Sequence, residues 1–152
     1  MNEKMSDNWA EGLPLMAGDY FLGLYQPSPE TVEYWEAVKR NELVLKWCSH
    51  CTKAFHPKRI VCTSCGASDL TWKPSTGRGK VYSMSEVHRA PSPAFAGSTP
   101  YTIGVVALDE GVYLLSRLIA DPGPIAIDAP VHVDFQVLEL GHRMPVFRVG
   151  TR

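Results

Sequence analysis

The stretch "KWCSHCTKAFHPKRIVCTSC", residues 46–65, holds all four cysteines of a 152-residue chain. They fall as two C-x-x-C pairs, Cys48/Cys51 and Cys62/Cys65, with ten residues between them. A C-x-x-C turn aims two thiolates at one centre, and a second such turn completes a tetrahedron. Ten residues are enough for two short strands and a turn. The spacing therefore predicts one structural Zn²⁺ per chain, held by Cys48, Cys51, Cys62 and Cys65. Iron on the same sulfurs is the next reading, with disulfides behind it. A thioredoxin-type site needs one C-x-x-C in a βαβ setting, which this pattern does not provide. His50 and His56 read as bystanders, because four thiolates already fill the coordination sphere. Such an ion has no open position for water, so the cage is expected to be structural rather than catalytic. Tetrathiolate zinc is anionic, and Lys46, Lys53, Lys58 and Arg59 are placed to offset that charge.

Upstream, "SPETVEYWEAVKRNEL" predicts a helix. Ser28 caps it, Pro29 suits the first helical position, and Glu30 faces the positive end. Val32 with Trp35, and Tyr34 with Val38, give apolar contacts at helical spacing. Lys39 and Arg40 fall in the last turn. Before it, "AGDYFLGLYQ" reads as an arm that buries Tyr20, Phe21, Leu22, Leu24 and Tyr25 against this chain or another.

Downstream, the pattern changes to period two. In "KVYSMSEVH", Val81, Ser83, Ser85 and Val87 alternate with Tyr82, Met84, Glu86 and His88. "YTIGVVAL" and "VYLLSRLI" flank Asp109-Glu110-Gly111, a hairpin with Gly111 left-handed. "VHVDFQVL" sets Val131, Val133, Phe135 and Val137 on one face, and "PVFRV" closes the series. Five short strands in about 75 residues are too few for two good sheets, so a small barrel is predicted. The whole reads as mainly β with an N-terminal helix. Residues 1–42 form the arm and helix, 43–74 the ribbon, and 75–152 the five-stranded barrel.

Bulk properties narrow the partners. The net charge of −1 gives no overall field toward nucleic acid or anionic lipid. Twelve prolines and twelve glycines favour turns and short strands over long helices. No stretch approaches the roughly 20 apolar residues of a membrane span. The polar amino terminus lacks a signal-peptide core, so a cytoplasmic location without membrane attachment is expected. There, paired cysteines serve as metal ligands more often than as disulfides.

A search for catalytic motifs finds no nucleophile elbow, P-loop, H-E-x-x-H or complete dinucleotide fingerprint. The cysteines are committed, and His88, His132 and His142 are scattered. "GRGK", residues 77–80, reads as the turn into the barrel, and Asp109 and Glu110 as solvated turn acids. Two features remain. The loop "HRAPSPAFAGSTP", residues 88–100, is long for a hairpin connection. The basic residues Lys58, Arg59, Arg78, Lys80 and Arg89, should they converge, are candidates for phosphate or partner contacts.

The order helix, four-cysteine ribbon, small barrel, with "CSHCTKAFHPKRIVCTSCG", "STGRGKVYSMSEVH", "PYTIGVVALDEGVYLLSRLI" and "MPVFR", resembles the acyl-CoA-associated OB-fold family with a rubredoxin-like zinc ribbon. The resemblance covers roughly residues 29–149. It implies an OB-fold barrel and a non-catalytic, hetero-oligomeric partner of a thiolase-fold acyl-CoA enzyme, with acyl-CoA or CoA at a shared site. MaoC-type hydratases and thiolase-like aldolases are alternative partners. The implied metal ligands match Cys48, Cys51, Cys62 and Cys65. Thr52 stands where the family often has glycine, a departure that bears on the turn rather than the ligands. "GLPLMAGDYFLGLYQPSPETVEYW" looks like the branch that accompanies thiolases of aromatic or branched acid breakdown, such as those cleaving benzoylsuccinyl-CoA. A nucleic-acid-binding ribbon and barrel is the competing class, and the net charge argues against it.

Overall fold

The computed structural model describes residues 28–90, 97–120, 123–137 and 142–150. The amino-terminal arm and the middle of the 88–100 loop lie outside the described residues.

A single 3-10 turn, Pro29–Thr31, opens α1, Val32–Lys39. Ser28 and Thr31 close that turn on each other. The Ser28 amide donates to Thr31 Oγ1 at 3.1 Å, and the Thr31 amide donates to the Ser28 carbonyl at 2.8 Å. Tyr34, Ala37 and Val38 face inward, whereas Val32 is exposed. The expected Tyr34–Val38 pair thus forms the buried stripe, while of the expected Val32–Trp35 pair only Trp35 packs against the core. Asn41 ends the helix in a left-handed conformation (φ 61°), a role asparagine fills after glycine. Its side-chain oxygen accepts from Arg143 Nη1 at 2.6 Å, which ties the helix end to the last strand of the barrel.

The ribbon is a three-stranded antiparallel sheet. β1, Val44–Cys48, lies between β2, Ala54–Phe55, and β3, Leu70–Pro74. Only one short strand separates the cysteine pairs; the rest of that segment is turns. Two cation–π contacts cross the sheet. Lys46 Nζ lies 4.8 Å from the Trp72 ring centre, and Lys73 Nζ lies 5.5 Å from that of Trp47. Lys46 is buried against its ring and so serves the sheet, not charge balance at the cysteines.

The second sheet closes on itself. Its strands are β4, Arg78–Val87; β5, Tyr101–Leu108; β6, Tyr113–Ile119; β7, Pro130–Val137; and β8, Arg143–Val149. The barrel order is β4-β5-β6-β8-β7, and only β6 and β8 run parallel. Val81, Val106, Leu114, Leu118, Val131 and Phe147 fill it, and the same apolar cluster continues through Leu43 and Leu45 to α1. Ribbon, helix and barrel thus share one core.

Two expectations meet corrections here. The alternation read along residues 81–88 stops at a register shift between Val81 and Ser83. Beyond it, residues 82–86 are all exposed. β4 pairs with β7 only over Arg78–Lys80, so its far half is held by β5 alone and has no interior to face. Glu110 is also no freely solvated turn acid. Its Oε1 accepts from Ser75 Oγ at 2.8 Å and from the Thr76 amide at 2.7 Å, clasping the ribbon-to-barrel linker. Gly111 does take the left-handed conformation expected of it (φ 79°). Gly77 (φ 65°) turns the chain into β4, where a Cβ would lie 2.2 Å from Val133 Cγ1.

Candidate metal centre and flanking surfaces

Local backbone structure aims the four sulfurs. In each pair the residue after the second cysteine, or that residue's equivalent, donates back to the first cysteine's carbonyl at 2.9 Å: Thr52 to Cys48, and Gly66 to Cys62. Each first cysteine in turn donates to a carbonyl five residues on, Cys48 to Lys53 at 3.0 Å and Cys62 to Ala67 at 2.8 Å. Both return residues are left-handed, Thr52 at φ 51° and Gly66 at φ 76°. The two knuckles are therefore near copies, and threonine takes up the glycine geometry in the first. A β-branched residue there is strained. The Thr52 hydroxyl bonds locally to the Cys51 carbonyl at 2.8 Å.

Cys48 Sγ lies 3.7 Å from Cys65 Sγ, Cys62 Sγ lies 3.8 Å from Cys51 Sγ, and all four sulfurs fall within 4.8 Å of one another. No sulfur–sulfur bond joins them. A tetrahedron with zinc–sulfur bonds of about 2.3 Å has edges of about 3.8 Å, so the sulfurs fit one Zn²⁺. Backbone amides of Cys51 and Ser64 point at Cys48 Sγ and Cys62 Sγ, each at 3.4 Å, where they stabilise thiolates.

Cys51 and Cys62 differ in their acidity. Hydrogen bonding with Cys65 pushes Cys51 up to about 12. Burial raises Cys62, but backbone donors at Cys65 and Ser64 outweigh it and bring that thiol down to about 6. Loading a cation must therefore expel protons, and acid must favour its release. Lys53 Nζ reaches Ser64 Oγ at 3.2 Å and so brings a cation between the knuckles. His50 turns away to Asp69 at 3.1 Å, and His56 Nδ1 accepts from the Lys58 amide at 3.2 Å. Neither histidine joins the cluster.

The five basic residues singled out in the sequence do not gather at one place. Arg78 and Lys80 share a recess of about 230 Å³ on the β4–β7 seam. Lys58 lines a different one of about 220 Å³, between α1, the His56–Lys58 turn and strands β6 and β8. Tyr34, Trp35, Leu115, Arg117 and Met144 also line this apolar cleft. Arg59 and Arg89 line neither recess. Two features escaped sequence reading. His132 joins Arg78 and Lys80, and Tyr82 stacks edge-on against Tyr113 at 5.0 Å on the outside of the barrel. Both pairings depend on strand register, which no local motif encodes.

Geometry defines the class as a tetracysteine zinc ribbon joined to an OB-type barrel. Two family models match in tandem: the rubredoxin-like zinc ribbon domain of ChsH2 over residues 35–71, and the C-terminal OB-fold domain of ChsH2 over residues 72–136. A DUF35 domain-containing scaffold protein of Methanothermobacter thermautotrophicus is 31% identical over 110 residues, covering 70% of this chain and 82% of that protein. The chain belongs to this DUF35 family. Among solved structures, the Ltp2-ChsH2(DUF35) aldolase aligns with a TM-score of 0.72 and 32% identity, covering 82% of this chain and 97% of that one. The benzoylsuccinyl-CoA thiolase subunit BbsA of Thauera aromatica is 30% identical over 90 residues, covering 57% of this chain and 58% of that protein. A probable enoyl-CoA hydratase alpha subunit of Thermomonospora curvata is 35% identical over 116 residues, 76% of this chain. The chain spans only 36% of that longer protein. Among the described residues, no helix is long and apolar enough to cross a membrane.

Proposed function

We propose that the chain is a non-catalytic accessory subunit that docks on a thiolase-fold acyl-CoA enzyme and supports acyl-CoA binding and thiolytic carbon–carbon cleavage. Cys48, Cys51, Cys62 and Cys65 hold one structural Zn²⁺ in this reading and leave it no open position for chemistry. In such cleavage the partner's nucleophile and oxyanion hole do the bond-making. This subunit supplies contact area and fixes the partner's site. The carrying observation is the uncovered apolar surface: Leu115 is 72% exposed, Tyr82 60% and Tyr113 54%. Large apolar side chains clustered outside a closed barrel are what an interface covers. The likeness to a thiolase subunit supports the choice of partner, and benzoylsuccinyl-CoA or a related aromatic or branched acyl group is the substrate proposed.

Co-expression with a thiolase-fold acyl-CoA enzyme of the same organism tests the reading. A stable complex, with thiolysis lost when this chain is withheld, is the expected result. Full activity of the larger enzyme alone would count decisively against it. A second reading, with a thiolase-like aldolase as partner, is favoured by the TM-score of 0.72 to an aldolase complex. Retro-aldol cleavage without thiolysis by the reconstituted pair would select it.

A further inference from the structure

The recess on the β4–β7 seam has a composition that the docking surface does not explain. Arg78 stands directly opposite His132 in the strand pairing, so both side chains leave the same face of the sheet. Lys80 lies two residues further along β4 and shares that face. Two cations therefore leave the same stretch of one strand, on the face that also carries the His132 ring. His132 Nδ1 sits 3.1 Å from the Gly150 carbonyl and must donate to it, since a carbonyl only accepts. That fixes the tautomer and leaves Nε2 for another partner.

Neighbouring acids do not neutralise the set. Asp134 is engaged by Arg148 Nε at 2.5 Å on the adjoining strand. Asp109 lines the recess, but among the described residues neither Arg78 nor Lys80 forms an ion pair with it or any other acid. Two fixed cations thus face one carboxylate, with an oriented imidazole beside them. Gly150 adds no side chain to the lining, and a Cβ there would meet only open space, so an anion can approach the backbone closely at that point. A volume of about 230 Å³ takes a phosphate group with its ester oxygen, but not a folded nucleotide.

We propose that Arg78, Lys80 and His132 form a binding site for a phosphate ester. Arg78 grips two oxygens through its planar fork, Lys80 supplies a point charge, and the unprotonated Nε2 of His132 accepts from a hydroxyl of the singly protonated phosphate. The identity of the phosphate's carrier, the nucleotide end of CoA, rests on the acyl-CoA function proposed above; the anion site itself does not.

The test is a titration of the zinc-loaded full chain, followed by backbone amide resonances, with inorganic phosphate, adenosine 3′,5′-bisphosphate and phosphate-free pantetheine. Saturable shifts centred on Arg78, Lys80, His132 and Gly150 are expected with both phosphates and absent with pantetheine. Arg78→Gln with Lys80→Gln should weaken phosphate binding about a hundredfold, roughly tenfold per lost charge-assisted contact. Both side chains are exposed, so thermal melting should be little changed. Tighter binding of the bisphosphate identifies a nucleotide carrier. Equal binding assigns the site to free phosphate and removes the CoA reading while leaving the site in place. Shifts centred on Lys58 and Arg59, no saturation at millimolar phosphate, or unchanged binding by the double variant would each overturn the proposal.

Discussion

The ribbon and the barrel reach order by opposite routes. Between residues 49 and 69 only Pro57 and Cys62 are buried, so this part of the ribbon has almost no apolar interior. Its geometry is set by the four sulfurs and by the paired backbone returns at Thr52 and Gly66. The barrel carries no such staple. It relies on closure of five strands over Val81, Val106, Leu118, Val131 and Phe147. Small domains that cannot bury enough apolar surface substitute a metal for a core, and both solutions stand here side by side.

Removing the ion should expose that contrast most sharply. Structural zinc in small ribbons contributes about 10–16 kcal/mol of binding free energy that is also folding free energy. Cys62→Ser, or chelation of the native protein, is expected to unravel residues 48–70. Amide hydrogen exchange should show lost protection there and retained protection in β5 and β6. Simultaneous collapse of the barrel would break the contrast. Acidification should do the same in stages, because ligand protonation competes with the cation, so zinc release should rise as pH falls.

The barrel should answer instead to its packing. Phe147 is 1% exposed, and Phe147→Ala removes a ring that closure cannot replace, at a cost of about 3–5 kcal/mol. Denaturant melts should show it, with zinc content unchanged. Gly77→Ala should cost about 2–4 kcal/mol, since it combines a left-handed backbone with a methyl driven into Val133. The smallest expected effect has the opposite sign. Thr52→Gly relieves the strained knuckle and should stabilise the zinc-loaded ribbon by about 0.5–1 kcal/mol. An unchanged or lowered melting temperature would show that the local bond from the Thr52 hydroxyl offsets that strain.

The sequence exposed these two regions to different depths. The cysteine spacing announced the cage, because ligand chemistry is written in a few residues at fixed intervals. Strand existence was legible from the alternation in "VHVDFQVL" and from the hairpin at Gly111. Register was not. The β4 alternation misled because a bulge and a projecting strand end leave residues 82–86 without a buried face. The basic residues read as one set belong to separate places, since only strand pairing brings Arg78 to His132 and leaves Lys58 beside α1. Glu110 was misread for the same reason: its partners, Ser75 and Thr76, are 35 and 34 residues away in sequence.

That carboxylate gives the molecule a joint. Glu110 sits at the tip of a hairpin of the barrel and grasps the only covalent path from ribbon to barrel, while its Oε2 is buried without a partner among the described residues. Alongside the shared core and the Asn41–Arg143 bond, this clasp helps hold the two sheets together from a point far from the sulfurs. A change at this one position would loosen the linker while leaving the metal knot and the barrel each intact.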